Sequence, residues 1–522
     1  MSRDSITELL FAMRCKGTTV WVDNGCLRYR AAREPPTKEE IEELRARRTE
    51  IVALMEHTCP LSRSAEPELT RRSYTDTVPL AFSQQWLWHV FELDRSPSLR
   101  TVFSAVRLSG RLSSEFLRRS IAKLTRRHES LRTRIIVSNG TPIQHIDEPG
   151  EPSLETIDLA ELSRSEREFE IRHLTDQLVN EPFFVSAGPL FSARLLKLGD
   201  YEHLLVVALD HIISDAASLG ILWREIFTLY AQLSDGLPCS LPEIPIQFAD
   251  YAVWQQNTHH WWMNTHSPYW IQRLAGAEHV QLFLDERLEK ITPVRWATLP
   301  IQFGETLSAA LRELSRRSRT TTVMSVLTAF TTSVLVLADR TDLVVPFIMA
   351  GRLRPEVENT IGFFGTPMYL RMELNKHDSY LDLLERVTTE HSTAYEHQDS
   401  CRMAMATQLP SREVMWNPVF NWIPAEFDMS YAGDIHHGGS SGSIRIDPYK
   451  LDIGTRGVKG GSDLMLCMSD TRHEISGMLH YRADMFALES VERFLSSIKS
   501  CAEMLAYEPK AQVTAASRKR KV

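Results

Sequence analysis

His203-Leu-Leu-Val-Val-Ala-Leu209, then Asp210-His-Ile-Ile-Ser-Asp215, then Ala216 to Leu233, is the stretch that decides the fold. The first run is apolar over the length of a buried strand, and Leu219, Leu222, Ile226 and Leu229 recur at helical spacing. A strand, a short polar break and a helix put His211 at a strand end and Asp215 at a helix N-terminus, where rigid elements can hold a site. A lone histidine is more often structural than catalytic, so position alone assigns no chemistry.

The chain around this junction has 522 residues, 59 Lys+Arg against 67 Asp+Glu, 43% hydrophobic residues and 24% charged ones. That balance is globular and excludes disorder, collagen and a disulfide scaffold. At about 150 residues per domain, the length suggests roughly three compact units. A net charge of −8 supplies no general basic face for nucleic acid. The first residues lack a secretory signal and no apolar run spans a bilayer, so a cytoplasmic protein with no membrane partner is expected. The 7 cysteines are scattered without a C-x-x-C pair and read as free thiols.

Residues 1–57 read as helix, hairpin and helix. Ser5 with Glu8 can cap a helix bearing Ile6, Leu9, Leu10 and Met13, and Thr37 with Glu40 a second bearing Ile41, Leu44, Ile51, Leu54 and Met55. Between them Thr18–Asp23 and Cys26–Ala31 are β-prone and flank Asn24-Gly25, the strongest two-residue hairpin signal. Pro35-Pro36 ends the hairpin. Arg28, Arg30 and Arg33 make the second strand's edge basic, suited to adding an acidic peptide as a further strand. A plain folding cap is the competing reading. Residues 58–78, with two prolines and no periodicity, read as a flexible linker.

From Pro79 strands and helices alternate, giving an α/β (α+β) body. Seven segments stand in order: Ser83-Gln-Gln-Trp-Leu-Trp88, Arg127-His-Glu-Ser-Leu-Arg-Thr133, Asp210-His-Ile-Ile-Ser-Asp-Ala-Ala-Ser218, Phe248-Ala-Asp-Tyr-Ala-Val-Trp254, Ile361-Gly-Phe-Phe-Gly-Thr366, His397-Gln-Asp399 and Arg412-Glu-Val-Met-Trp-Asn-Pro418. This succession resembles the motifs of nonribosomal peptide synthetase condensation domains. Residues 1–57 resemble the tubulysin-type β-hairpin docking domains at the N-termini of synthetase subunits, which capture the tail of the preceding subunit.

The resemblance implies two chloramphenicol-acetyltransferase-like lobes in a V, at 79–250 and 251–510, followed by a basic tail at 511–522. It implies no intrinsic cofactor and no metal. Donor and acceptor would arrive on phosphopantetheine arms of partner carrier domains, or the acceptor as a free small molecule, and no length remains for an adenylation or carrier domain. His211 falls on the family's catalytic histidine. Asp215 falls on its structural aspartate, whose arginine partner is Arg352 or Arg132 here. Trp254 and Thr366 occupy further motif positions.

Three positions depart from the pattern. Asp210 replaces a histidine, Ala216 replaces a glycine, and Gly365-Thr366-Pro367 stands where Val-Asn-Thr is usual. Asp210, Asp215 and Ser218 also satisfy D-x-x-x-x-D-x-x-S, the signature of heterocyclisation domains, which is the alternative enzymatic reading; a non-catalytic docking scaffold for carrier proteins is the other. A carboxylate at 210 could also orient His211 through Nδ1. Gly438-Gly-Ser440-Ser-Gly442 lacks the flanks of a nucleophile elbow and reads as a loop. His259-His260-Trp261-Trp262 and His266 lack metal-ligand spacing.

Overall fold

The computed structural model describes residues 18–23, 26–31, 37–48, 51, 67–93 apart from 74 and 76, 100–280 apart from 152–153 and 181–182, 282, 296–398 apart from 376, 417–423, 433–435, 444–449, and 462–513 apart from 472. It comprises two compact units, Met1–Glu68 and Leu69–Val522.

In the first unit β1 (Thr18–Asp23) pairs antiparallel with β2 (Cys26–Ala31), from Thr18 opposite Ala31 to Asp23 opposite Cys26. That register leaves only Asn24-Gly25 to join them, the length that the hairpin reading requires. Arg28 stands opposite Trp21, and Arg30 opposite Thr19. The helix α1 (Lys38–Ala46) follows, with Leu44 and Ile51 buried. The expected first helix and Arg33 lie outside the described residues.

The second unit begins earlier than composition suggests. Leu69 is buried, and Arg72 forms ion pairs with Asp250 at 2.5 Å and Glu129 at 2.9 Å. The linker reading of 58–78 is therefore corrected over its last ten positions: two side chains anchor a stretch that has no periodicity to announce it. Its first lobe contains β3 (Thr77–Pro79), α2 (Phe82–Leu93), β4 (Thr101–Ser109), α3 (Ser114–Arg127), β5 (Thr133–Ser138), β6 (Thr141–Ile146), β7 (Leu154–Asp158), α4 (Arg164–Asn180), β8 (Phe191–Gly199), β9 (Glu202–Asp210), α5 (Ala216–Ser234) and α6 (Phe248–Arg273). Helix α3 shows why such segments fold as they do. Ser113 accepts from the Phe116 N–H as N-cap, and Leu117, Ser120, Ile121 and Leu124 form its buried face.

The second lobe contains β10 (Trp296–Gln302), α7 (Gly304–Arg317), α8 (Thr322–Leu337), β11 (Asp342–Met349), β12 (Thr366–Glu373), α9 (Tyr380–Glu396), β13 (Val419–Trp422), β14 (Gly433–Ile435), β15 (Ile444–Pro448), β16 (Leu464–Asp470), β17 (Ile475–Arg482) and α10 (Leu488–Tyr507). Its six-stranded sheet has the order β10-β17-β16-β13-β11-β12. The first lobe's sheet has the order β14-β15-β4-β9-β8-β7, so two strands from 433–448 cross over to complete it. The boundary at 250/251 falls inside α6, whose Phe248, Tyr251 and Trp254 pack in one core and whose Trp270 packs in the other. A single cut between lobes is thereby corrected, because one continuous helix and one returning hairpin serve both.

The expected tail also starts too early. Val513 is fully buried, Gln512 bridges Ser379, and the Tyr380 N–H donates to the Ala511 carbonyl. Residues 514–522 lie outside the described residues. No single described helix is long and apolar enough to cross a membrane; the pair α7 and α8 is bent by 109°, and α8 is buried from Met324 to Leu335.

Candidate active site

Strand β9 runs through the middle of its sheet, bonded to β4 on one side and β8 on the other, and is buried from His203 to Asp210. It delivers Asp210 to the sheet's end. The chain then makes one 3-10 turn over His211–Ile213 and enters α5 with Asp215 as N-cap. The expected strand, break and helix are all present.

The His211 ring is half-buried, edge-on to Phe363 at 4.8 Å. Its Nδ1 lies 2.7 Å from the Ser214 carbonyl oxygen. A carbonyl can only accept, so Nδ1 carries the proton and Nε2 the lone pair. Burial lowers the ring's pKa, with the Ser214 carbonyl and Asp215 opposing, so the imidazole is neutral at pH 7. The backbone is fixed too: the His211 N–H donates to the Arg100 carbonyl at 2.5 Å.

Asp210 does not orient the imidazole. Its Oδ1 accepts from the Ile212 N–H at 2.9 Å, and its Oδ2 lies 3.3 Å from the Arg100 guanidinium. Both of its oxygens are engaged away from the ring, which leaves the tautomer to Ser214 instead. Burial pushes the Asp210 carboxyl up to about 6, with Arg100 holding it from going higher.

Arg352 is the partner of Asp215, and Arg132 is not. Both terminal nitrogens of Arg352 reach the carboxylate, at 2.7 and 2.9 Å. Asp215 also accepts from the Ser218 N–H at 2.9 Å, the Ser218 hydroxyl at 2.8 Å and the Phe364 N–H at 3.1 Å. Arg132 lies elsewhere, donating to the Asp147 carbonyl and standing 3.9 Å from Glu129. Burial works to raise the Asp215 pKa, but Arg352 and Ser218 outweigh it and hold the carboxyl below the usual range. Arg352 further stacks over Phe364 at 4.5 Å.

Ser218 therefore ties α5 to the 351–366 segment, its hydroxyl also meeting the Gly362 N–H at 3.1 Å. That segment is tightly seated. A Cβ on Gly362 would meet Phe248 at 2.2 Å, and one on Gly351, which has a φ of +66, would meet the Phe364 carbonyl oxygen at 2.1 Å. Ala216, in contrast, is exposed in the first turn of α5. Trp254 lies in the first core with Arg354 over its ring at 4.4 Å, and Thr366 opens β12 opposite Met349.

Two supports were not legible as site residues. Gln84 is fully buried and donates to the Ile212 carbonyl at 2.9 Å, bracing the turn from α2; its motif was visible, its contact was not. Arg100 lies outside every motif and is found only from the register that sets Thr101 opposite Asp210. Asp215 and Ser218 meet each other and share Arg352, whereas Asp210 turns to Arg100 and the Ile212 N–H. His266 meets His397 instead of a carboxylate, Nδ1 to Nδ1 at 3.1 Å, and no group of three metal-ligating side chains occurs among the described residues. Asp399, residues 412–416 and Gly438–Gly442 lie outside the described residues.

His211, its Nδ1–H donating to Ser214, stands at the end of a central strand on a loop locked by the buried Asp215–Arg352 pair. The chain belongs to the condensation domain family of nonribosomal peptide synthetases: that family matches residues 74–518, and the TubC N-terminal docking domain matches residues 6–56. Chondramide synthase cmdD of Chondromyces crocatus is 26% identical over 442 residues, 84% of this chain and 11% of that protein. Phosphinothricin tripeptide synthetase PhsC of Streptomyces viridochromogenes is 29% identical over 448 residues, 85% of this chain and 40% of that protein. The chain thus spans less than half the length of these relatives. Among solved structures, the X-domain from teicoplanin biosynthesis superposes with a TM-score of 0.73 at 21% identity, covering 86% of this chain and 99% of that one. The first condensation domain of the CDA synthetase gives 0.65 at 18% identity, covering 84% and 99%. These likenesses establish the fold.

Proposed function

We propose that the chain joins an acyl or peptidyl thioester, carried on the phosphopantetheine arm of one partner, to an amine or hydroxyl acceptor, with His211 at the reacting centre. The observation that carries this reading is the Nδ1 contact to Ser214, which leaves a basic Nε2 on a half-buried residue. The acceptor attacks the thioester carbonyl, forming the new C–N or C–O bond; the tetrahedral oxyanion collapses and expels the thiolate. The nucleophile's proton passes to Nε2 and then to the departing sulfur, so the base is regenerated.

General-base help of this kind is worth on the order of 10²–10⁴. Holding two tethered reactants in attack geometry reaches effective molarities of about 10⁵–10⁸ M. Positioning therefore dominates for an amine, which is nucleophilic when neutral, and proton removal matters more for an alcohol. Asp215 and Arg352 hold the loop and take no proton.

Arg28, Arg30 and Arg33 would receive the acidic tail of an upstream synthetase as a strand beside β2, and both substrates would come from carrier domains or, for the acceptor, from solution. Intact-mass analysis after incubation with a loaded donor carrier and a panel of amines, alcohols and cysteine tests the reading. Donor transfer with loss of the thiol only supports condensation. Loss of one water in addition to the thiol with cysteine would establish heterocyclisation, and an unchanged donor throughout would establish a docking scaffold.

A further inference from the structure

On the first lobe, away from the catalytic loop, a groove of about 810 Å³ runs between α3, the 239–247 segment and Gly150-Glu151. Six cationic side chains line it, Arg71, Arg118, Arg119, Lys123, Arg126 and Arg127, against two carboxylates, Glu151 and Glu243. In a chain of net charge −8 this is a local inversion of sign.

The six divide into two groups. Arg71 donates to the Pro245 and Ile244 carbonyls at 2.8 and 2.7 Å and pairs with Glu243; Arg127 pairs with Glu225 at 3.0 Å; Arg118 pairs with Glu115 and Glu151. These build the walls. Arg119, Lys123 and Arg126 are exposed and form no ion pair with any described residue. Their i, i+4, i+7 spacing puts them on one face of α3, and like charges so placed cost a helix about 0.2–0.5 kcal/mol per pair. Elsewhere the chain neutralises such residues locally, as Glu313 does for Arg316 and Arg317 on α7.

We infer that this groove binds an acidic polypeptide, with carboxylates spaced along one helical face to meet Arg119, Lys123 and Arg126. The three cations spread over eight residues, seven steps and about 10 Å of helix. A single phosphate needs donors that converge on one point; a row of carboxylates one helical turn apart matches this row. Leu229, Leu241 and Ile244 supply apolar lining beside the charges, as a protein interface has. The inference goes beyond the condensation reading and does not depend on His211.

The full chain is titrated with a labelled helical peptide carrying Glu at i, i+4 and i+7, with a scrambled peptide of the same composition, and with inorganic tripolyphosphate as competitor. The ordered peptide should bind in a salt-sensitive way. Its affinity should fall at least about tenfold in Arg119→Glu/Lys123→Glu/Arg126→Glu, fall also in the milder triple Gln variant, and stay unchanged in the exposed control Lys499→Glu. Cys239, a free thiol on the groove wall, should become slower to alkylate when the peptide is bound. Equal binding by wild type and both triple variants, equal binding of the scrambled peptide, or full displacement by tripolyphosphate would overturn the inference.

Discussion

Arg352 grips Asp215 from 137 residues away, both terminal nitrogens on the one carboxylate, with the Phe364 ring against its guanidinium plane. The pair is buried, and three further donors from Ser218 and Phe364 complete the carboxylate's shell. Fork geometry and full satisfaction are the conditions under which a buried ion pair offsets its desolvation.

Breaking this pair from one side should be expensive. Asp215→Ala and Arg352→Ala are each expected to lose about 3–5 kcal/mol, the cost of an uncompensated buried charge. The double variant should lose much less than the sum, since neither charge is then orphaned. Chemical denaturation of the four proteins measures the coupling; additive losses would mean that the two side chains act independently.

Asp210 predicts an opposite pH signature. Its folded pKa is raised from 3.8 to about 6, so the folded state holds its proton more tightly than the unfolded chain does. The associated stability is complete below 3.8 and is lost as pH rises through about 6, by about 3 kcal/mol at about 1.36 kcal/mol per unit. Asp210→Asn keeps the oxygen that accepts from Ile212 and removes the titration. Its melting temperature should decline less than the wild type's between roughly pH 4 and 7; parallel curves would contradict the placement.

Gly362 has no room to grow. A methyl group there meets the Phe248 ring, which itself packs edge-on against Phe364 at 4.8 Å. Gly362→Ala should destabilise by about 1–3 kcal/mol through overpacking. Gly150→Ala, where a Cβ meets nothing within 4 Å, is the matched control and should melt near wild type.

The pH–rate profile should follow from His211. Its pKa lies below the ordinary 6.5, so turnover with an alcohol acceptor should fall on the acid side, below that value, and remain flat across neutrality. With Asp210→Asn the same acid limb should persist, because it belongs to the imidazole. Loss of the limb in that variant would assign it to Asp210.

Sequence and structure agree where the signal is local and periodic. The run from His203 to Leu209 became the central strand and Leu219, Leu222, Ile226 and Leu229 became a helix face because burial on two sides and on one stripe leave those two patterns. The hairpin around Asn24-Gly25 has the register that such a turn demands. What stayed hidden is long-range. Two arginines were equal candidates for Asp215, since nothing in a local pattern says which of them lies opposite it in space. Arg72 looked like linker because its ion-pair partners, Glu129 and Asp250, lie 57 and 178 positions on. β15 pairs with β4 across more than 300 residues, and no alternation in 444–448 names its partner.

Single-turnover transfer from a loaded donor carrier, comparing His211→Ala with the wild type for an amine and an alcohol acceptor, tests the central claim most directly. The account predicts product loss on the order of 10² or more for the alcohol, a smaller loss for the amine, and an unchanged melting temperature. Near-normal product formation with the alcohol in the folded variant would remove His211 from the chemistry.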